Sequence, residues 1–417
     1  MDDPGLAGTT RRVPIFALLT AEAISQVGNV LTFVAVPWFV LQTTGSAAKT
    51  GLTGGAVTLA GVVAGVFGGP IVDRLGFKRT SIVADLASAL TVGLIPLLYH
   101  TVGLAFWQLL VLVFLGGFLD APGLTARLSI VPDLARRARM QVERANSAIQ
   151  AIQQFSLLVG PPIAGILIAL LTPSNVLWVD ALTFAFSAAV IAALVPSPEQ
   201  QTDRFPAEAR GVGGYLADLA EGLRYTRSDR LILWIIAAGV VLNFLFFPLL
   251  SVILPVYAER TYGSAVNLGL MLGSFGGGAL VGSLLYGTVG HRLPRRATTV
   301  VSLALTGLPI AVVALTPPLV VTLVALFVTG FGLGPPNPLV VTVVQERTPE
   351  QILGRVMGSL IALTMVASPL GNVLAGYALE TGGLGVTLAG ICACCLAVSL
   401  FVLLKPVFRE MDVAKYR

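Results

Sequence analysis

Twelve apolar runs, each long enough to cross about 30 Å of hydrocarbon as a helix, divide this sequence from end to end. They lie near 13–40, 50–72, 80–100, 104–131, 146–171 and 176–195, and then near 231–257, 265–289, 298–316, 319–343, 355–378 and 384–404. One crossing uses about 20 residues, so a single anchor is excluded. Composition closes the soluble alternatives. Of 417 residues, 55% are apolar and only 11% charged, against about 25% charged in soluble domains. A cytosolic enzyme, a nucleic-acid-binding module and a disordered scaffold are excluded. The expected fold class is all-α membrane protein, with twelve transmembrane helices.

The net charge of +5 is informative through its placement. With the N-terminus on the cytoplasmic side, only Lys49 and Arg260 of the 26 Lys and Arg fall in outer loops, which leaves 24 at inner positions. Positive residues are retained on the cytoplasmic side, so both termini are expected there, in a multi-pass protein of the cell inner membrane. Arg11 and Arg12 lead into a run too long for a signal-peptide core, which reads as a retained first span. The three cysteines, Cys392, Cys394 and Cys395, share one apolar run with no nearby His or acid. They read as small buried hydrophobes, and no metal site is expected. His100 and His291 stand far apart in loops, and no Gly-rich phosphate loop is present. Neither an enzyme nor a cofactor is expected, and ATP hydrolysis is not the drive.

The longest polar stretch, 198–228, separates six runs from six. Within it Tyr215, Leu216, Leu219 and Leu223 recur at helical spacing, the pattern of an amphipathic segment on the inner membrane surface. The expected organisation is an N-terminal bundle over 1–197, a cytoplasmic linker over 198–228 and a C-terminal bundle over 229–417. The halves repeat. Gly45-Ser46-Ala47 returns as Gly263-Ser264-Ala265, and Asp73-Arg74-Leu75 aligns with His291-Arg292-Leu293, both 218 residues on. Gly160…Ala164-Gly165 returns as Gly371…Ala375-Gly376. Two pseudo-symmetric six-helix bundles in parallel repeat form a transporter architecture, with substrate held near the midplane.

Charge at membrane depth is costly and by default marks an ion or substrate path. Glu22, Asp85, Asp120, Arg127 and Asp180 lie inside spans, all in the first half. The second half offers Asn243, Asn337 and Asn372. Glu22 with Gln26, Asn29 and Phe33 forms a stripe on the first helix suited to a cavity wall. Desolvation favours a neutral carboxyl, so Glu22 is the first candidate for proton coupling. Asp120 is the second. Arg127 lies seven residues beyond it on the same face, as a pair for charged substrate or as a structural ion pair. Asp85 and Asp180, nearer helix ends, are expected to cap helices or join a latch. With Arg127, Asn243, Phe247 and Asn337 complete the expected substrate cavity. Gly61, Gly65 and Gly69, and Gly269, Gly273 and Gly277, form small-residue stripes suited to sliding contacts between halves. The run Gly330, Gly332, Gly334, Pro335, Pro336 and Pro338 is expected to kink or break its helix.

Two motifs carry a resemblance. The loop Gly69-Pro-Ile-Val-Asp73-Arg74-Leu-Gly76-Phe77-Lys78-Arg79 resembles the GxxxDRxGRR loop of the major facilitator superfamily, with Phe77 at a usually basic position. A degenerate second copy lies at Gly287…His291-Arg292…Arg295-Arg296. In the fifth run Ser156…Gly160-Pro161-Pro162…Ala164-Gly165 resembles the gxxxGPxxGG signature of the antiporter branches, with Ser156 and Ala164 replacing glycines. Val36-Pro37-Trp38-Phe39-Val40-Leu41-Gln42, Asp120…Thr125-Ala126-Arg127 and Gly354-Arg355-Val356-Met357-Gly358 are similar to the Tap-like multidrug efflux, macrolide-efflux and enterobactin-exporter families. The resemblance implies proton-driven export of amphiphilic compounds, tetracycline- or aminoglycoside-like drugs among them, by alternating access. It implies an inner latch at Asp73, Arg74, Gly76, Lys78 and Arg79, and an antiporter motif at Gly160, Pro161 and Gly165. The partners it implies are a small-molecule amphiphile, protons and the bilayer, for a monomer. Alternatives are a specific exporter of a siderophore or endogenous metabolite, or a lysophospholipid flippase. Relatives often carry an acid after the glycine of the first helix, where this chain has Gly28-Asn29.

Overall fold

The computed structural model describes the backbone of residues 4–196 and 212–412, with side chains described except at 4–11, 66, 69–71, 73, 74 and 212–219. Among the described residues every regular element is a helix. In the membrane each backbone N–H and C=O must be bonded within its own segment, and this sequence has no closed barrel pattern to offer instead.

The first half runs α1 (Pro4–Thr44), α2 (Ala47–Leu75), α3 (Phe77–Thr101), α4 (Phe106–Arg137), α5 (Val142–Leu171) and α6 (Pro173–Leu194). Then α7 (Val212–Ser228) precedes α8 (Arg230–Pro248), a π turn (Leu249–Ile253) and α9 (Leu254–Tyr262). The chain continues through α10 (Ala265–Val289), α11 (Arg295–Ala314), α12 (Leu319–Leu333), α13 (Pro336–Arg347) and α14 (Glu350–Leu404). Among the described residues eleven helical stretches are long and apolar enough to cross a membrane. The last has 55 residues, about 82 Å at 1.5 Å per residue, far more than one crossing takes. Gly383 sits inside it at φ 76° and ψ 177°. The chain turns there, and α14 supplies two crossings.

Local chemistry sets the boundaries. Gly76 (φ 76°) joins α2 to α3 with a single residue between them, a conformation that costs a side chain dearly and glycine little. Pro173 starts α6, where its missing N–H costs nothing. The Asp229 carboxylate accepts the N–H groups of Leu231 (3.0 Å) and Ile232 (3.4 Å) and caps α8. In the 330–338 segment α12 gives way to α13 across Gly334 and Pro335. Gly334 and Pro335 stay in the right-handed helical region, and the Gly334 N–H still reaches the Gly330 carbonyl at 3.1 Å.

The described chain divides into two compact units. The first is Met1–Phe39 with Ala56–Tyr215, and the second is Val40–Gly55 with Leu216–Arg417. In the first, α3 packs on α4 and α6, and Ile15, Leu18, Ile130, Leu134, Ile149 and Ile191 form a buried apolar cluster. In the second, α12 packs on α10 and α11, and α14 on α8 and α11. Leu231, Leu303, Leu339, Val343, Val402 and Phe408 form its cluster. The turn between α1 and α2 is fastened within this second unit. Glu380 accepts the Ala48 N–H at 2.8 Å and the Ser46 hydroxyl at 3.1 Å. The tight helix approaches of α10 involve Gly278 and Gly282 against Phe327 and Phe331 of α12. A side chain added at Gly61 or Gly65 would meet nothing within 4 Å. Of the cysteines, Cys392 and Cys395 are buried and Cys394 is exposed.

Candidate functional site

Three of the four acids at membrane depth converge on one guanidinium. Arg127 of α4 is only 2% exposed. Its Nε lies 2.7 Å from Oε2 of Glu22 on α1, out of line for a hydrogen bond but close enough for an ion pair. Its Nη1 donates to Oδ1 of Asp85 on α3 at 2.7 Å. Its Nη2 stands 3.9 Å from Oδ1 of Asp120, on its own helix. The planar fork of arginine presents donors in several directions at once, which a lysine cannot reproduce. Gly123, one turn before Arg127, permits the geometry: a Cβ there would come within 2.6 Å of the Ala84 Cβ. That close approach of α3 to α4 brings Asp85 into reach.

The carboxylates are held unequally. Glu22 is 2% exposed and its Oε1 accepts the Gln26 amide at 2.8 Å. Asp85 is fully buried, with Oδ2 accepting the Ser187 hydroxyl of α6 at 2.7 Å. It sits well inside α3 and caps nothing, so the capping or latch role expected for it gives way to a buried ion pair. The Asp120 side chain is 27% exposed, and its other contact is a long one, from the Asn29 amide at 3.4 Å. The guanidinium thus grips two acids and leaves the third loosely held.

The polar face of α1 touches two helices, α4 and α6. Gln26 supports Glu22, and Asn29 reaches Asp120. Thr32, on the flank facing α6, donates to Oδ2 of Asp180. Phe33 stays on the stripe and is exposed. Asp180 is completely buried and also bonds Thr183. It caps no helix either. Sequence reasoning passed over Thr32, and it assigned Asp85 and Asp180 elsewhere. The available signal was that Thr32 follows Gly28 by four residues, which places both on one flank of α1.

The remaining candidates are placed as follows. Arg127, expected to line a cavity, is sealed in the cluster. Asn243 donates back to the Gly239 carbonyl at 3.0 Å, Phe247 is half-buried and Asn337 is exposed. Asn372 is buried and accepts the Ser251 hydroxyl at 2.8 Å, beside the π turn. Gly160 and Pro161 are buried, and Gly160 lies against Val30 of α1. Gly165 is buried as well. In the latch loop the side chains of Asp73 and Arg74 fall outside the described residues. Lys78 donates to the Ala192 carbonyl at 3.0 Å, and Arg79 is exposed. Of the amphipathic segment, Tyr215, Leu216 and Leu219 likewise lie outside the described side chains.

In the second unit the positive residues form ion networks that loop counting alone did not show. Arg295 binds Glu346 through two nitrogens, at 2.5 and 2.7 Å. Arg347 binds Asp229 (3.0 Å) and Glu410 (3.0 Å). Burial opposes ionisation of Asp229, but the hydrogen bond and charge of Arg347 outweigh it and hold that carboxyl below its ordinary value.

A cluster of three acids on one buried arginine within an all-helical chain is paired with a sequence-wide family match. The family model described as Major Facilitator Superfamily matches residues 18–266 and 236–415. The chain belongs to the Major Facilitator Superfamily. This superfamily member is 34% identical over 409 residues to the Multidrug efflux pump Tap of Mycolicibacterium fortuitum, covering 97% of this chain and 98% of that one. It is 22% identical over 393 residues to Macrolide efflux protein A of Streptococcus pyogenes, covering 93% and 95%. Among solved structures, the nucleoside transporter NupG superposes with a TM-score of 0.78 at 13% identity, over 97% of this chain and 99% of that one. At that identity the likeness shows the fold alone.

Proposed function

We propose that this chain is a proton-coupled exporter of amphiphilic small molecules, antibiotics among them, working by alternating access. It acts as a monomer in the cell inner membrane with both termini cytoplasmic. The export reading is supported by the near full-length similarity to a protein named a multidrug efflux pump. The orientation is supported by the placement of Lys and Arg.

One observation carries the proton assignment: Arg127 grips Glu22 and Asp85 at 2.7 Å but holds Asp120 only at 3.9 Å, with the Asp120 side chain 27% exposed. An acid that is partly wet and weakly paired exchanges protons with water. Two acids locked on a buried guanidinium form a frame. In this reading Asp120 takes a proton when the site faces outside and gives it up inside as substrate binds, while Glu22 and Asp85 keep Arg127 oriented.

Everted vesicles containing the full chain, loaded with a pH-sensitive dye, test this. Adding tetracycline or another drug from an amphiphile panel is expected to release protons from acidified vesicles. Asp120→Asn is expected to diminish that response while drug still binds. Proton movement persisting undiminished in Asp120→Asn would refute the assignment, and no drug-linked proton movement in the wild type would refute the antiport.

A further inference from the structure

Asp180 is a buried acid that the Arg127 cluster does not use. It lies on α6, seven residues in from Pro173, and is 0% exposed. Among the described residues it has no ion pair. Its partners are two hydroxyls: Thr32 of α1 donates to Oδ2, and Thr183, three residues on, lies 3.1 Å from Oδ1. An isolated ionised carboxylate in an apolar interior is too costly to persist without a cation or several strong donors.

One hydroxyl hydrogen of Thr183 serves two acceptors. Thr183 Oγ1 lies 2.7 Å from the Asp180 backbone carbonyl as well as 3.1 Å from Oδ1. A threonine hydroxyl has one hydrogen and two lone pairs. The shorter contact, a local bond to the carbonyl three residues back, takes the larger share of the hydrogen. Oδ1 therefore receives only the weaker share of a divided hydrogen, whereas a proton on Oδ1 makes the same contact a full hydrogen bond from the acid to Thr183. Oδ2, accepting from Thr32, is then the carbonyl oxygen of a neutral acid.

Among the described residues the surroundings provide no compensating charge. From α4 the ionisable side chain that acts on Asp180 is Asp120, another acid. From α1 come Gly28 and Thr32, and Glu22 of that helix is committed to Arg127. Helix α3 reaches α6 beside Asp180 with the uncharged Gly93, against Ala181 and Trp178; its ionisable contacts, Asp85 at Ser187 and Lys78 at Ala192, lie about two and more turns further along α6. Helix α5 has no ionisable residue from Ala145 to Leu171. Gly28 makes the room, because a side chain there would collide with the Asp180 carboxyl and the Thr183 hydroxyl.

We propose that Asp180 is a second proton-carrying carboxyl of the transport cycle, neutral in this conformation and gated by α1 through Thr32. The same α1 face touches Asp120 through Asn29, so one movement of α1 alters both acids. Withdrawal of Thr32 and entry of water let Asp180 release its proton to the cytoplasm; a proton from outside restores it. Two protons then enter for each substrate exported. The carrier role rests on the antiport reading above; the neutral carboxyl does not.

Infrared spectra of the purified full chain in lipid at neutral pH separate the two. A carbonyl stretch of a protonated carboxylic acid is expected in the wild type and lost in Asp180→Asn. Thr32→Val, which keeps the acid and the fold, is expected to shift it to higher frequency by removing the donor to Oδ2. A wild-type spectrum that Asp180→Asn leaves unchanged would overturn the assignment, as would a band abolished by sodium ions, which would make the site a cation site. In proteoliposomes with tetracycline, Asp180→Asn is expected to lower the coupling from two protons to one. The gradient sustained by one pH unit then falls from about 100-fold to about 10-fold. An unchanged gradient overturns the carrier role. If the wild type moves no protons with tetracycline, the antiport reading falls and the carrier role with it, while the band still decides whether Asp180 is neutral.

Discussion

Replacing Arg127 with methionine removes the single positive charge that two fully sealed carboxylates share. At 2.7 Å and an effective dielectric near 20, each contact carries about 6 kcal/mol of gross attraction, against about 4 kcal/mol for Asp120 at 3.9 Å. Most of that gross figure offsets desolvation of the same charges. What is lost on removing one partner is about 3–5 kcal/mol, because the remaining charge stays buried without compensation. Arg127→Met strands Glu22 and Asp85 together, so the destabilisation is expected at the upper end of that range. Unfolding of the full chain in mild detergent, followed by helix content or by reactivity of buried Cys392 and Cys395, measures it. The companion variant is Glu22→Gln with Asp85→Asn and Arg127→Met, which removes every charge of the frame. Neutral replacement of a whole buried ionic group is often tolerated. It is expected to regain stability to within about 2 kcal/mol of the wild type while transport stays lost. Arg127→Met as stable as the wild type, or a triple variant no better than the single one, would refute the reasoning.

Other outcomes follow from the same coordinates. Gly28→Val drives a side chain into the Asp180 carboxyl and the Thr183 hydroxyl, and should cost about 1–3 kcal/mol as overpacking, read as lowered thermal stability. Thr172 joins α5 to α6 at φ 76° and ψ 152°, a strained place for a β-branched residue; Thr172→Gly should raise stability by about 1 kcal/mol in the same unfolding measurement. Asp229 is held below its ordinary value by Arg347. A folded value below the unfolded one, near 3.9, means its contribution is complete above that pH and lost as pH falls through the folded value. Asp229→Asn should therefore be less stable than the wild type by about 1–3 kcal/mol at pH 7, with the difference shrinking below about pH 4; a difference that grows on acidification would contradict the pairing.

The candidate site could be read only in part before the fold was known. The stripe Glu22, Gln26 and Asn29 follows from helical spacing, and the acids at depth stand out because charge inside a span is rare. Spacing along one helix does not say which neighbour a face meets. Asp120 and Arg127 share a face, but seven residues of helix rise about 10 Å, and the arginine spends its shorter contacts on Glu22 and Asp85 from other helices. Asp85 and Asp180 lay near run ends only because those ends were drawn by composition; in the structure both stand inside their helices, facing partners.

The sequence by itself determined the solvent this chain folds in, the number of crossings, the parallel repeat and the confinement of deep charge to the first half. Each follows from hydrophobic length and charge cost, which are local properties added along the chain. Only the tertiary structure decided which acid is gripped, which is loose and which is alone. Those outcomes depend on distances of a few ångströms between helices. At Gly28, Gly123 and Gly160 the absent side chain lets backbones approach, and the helices that come closest there carry Asp180, Asp85 and the α1 stripe.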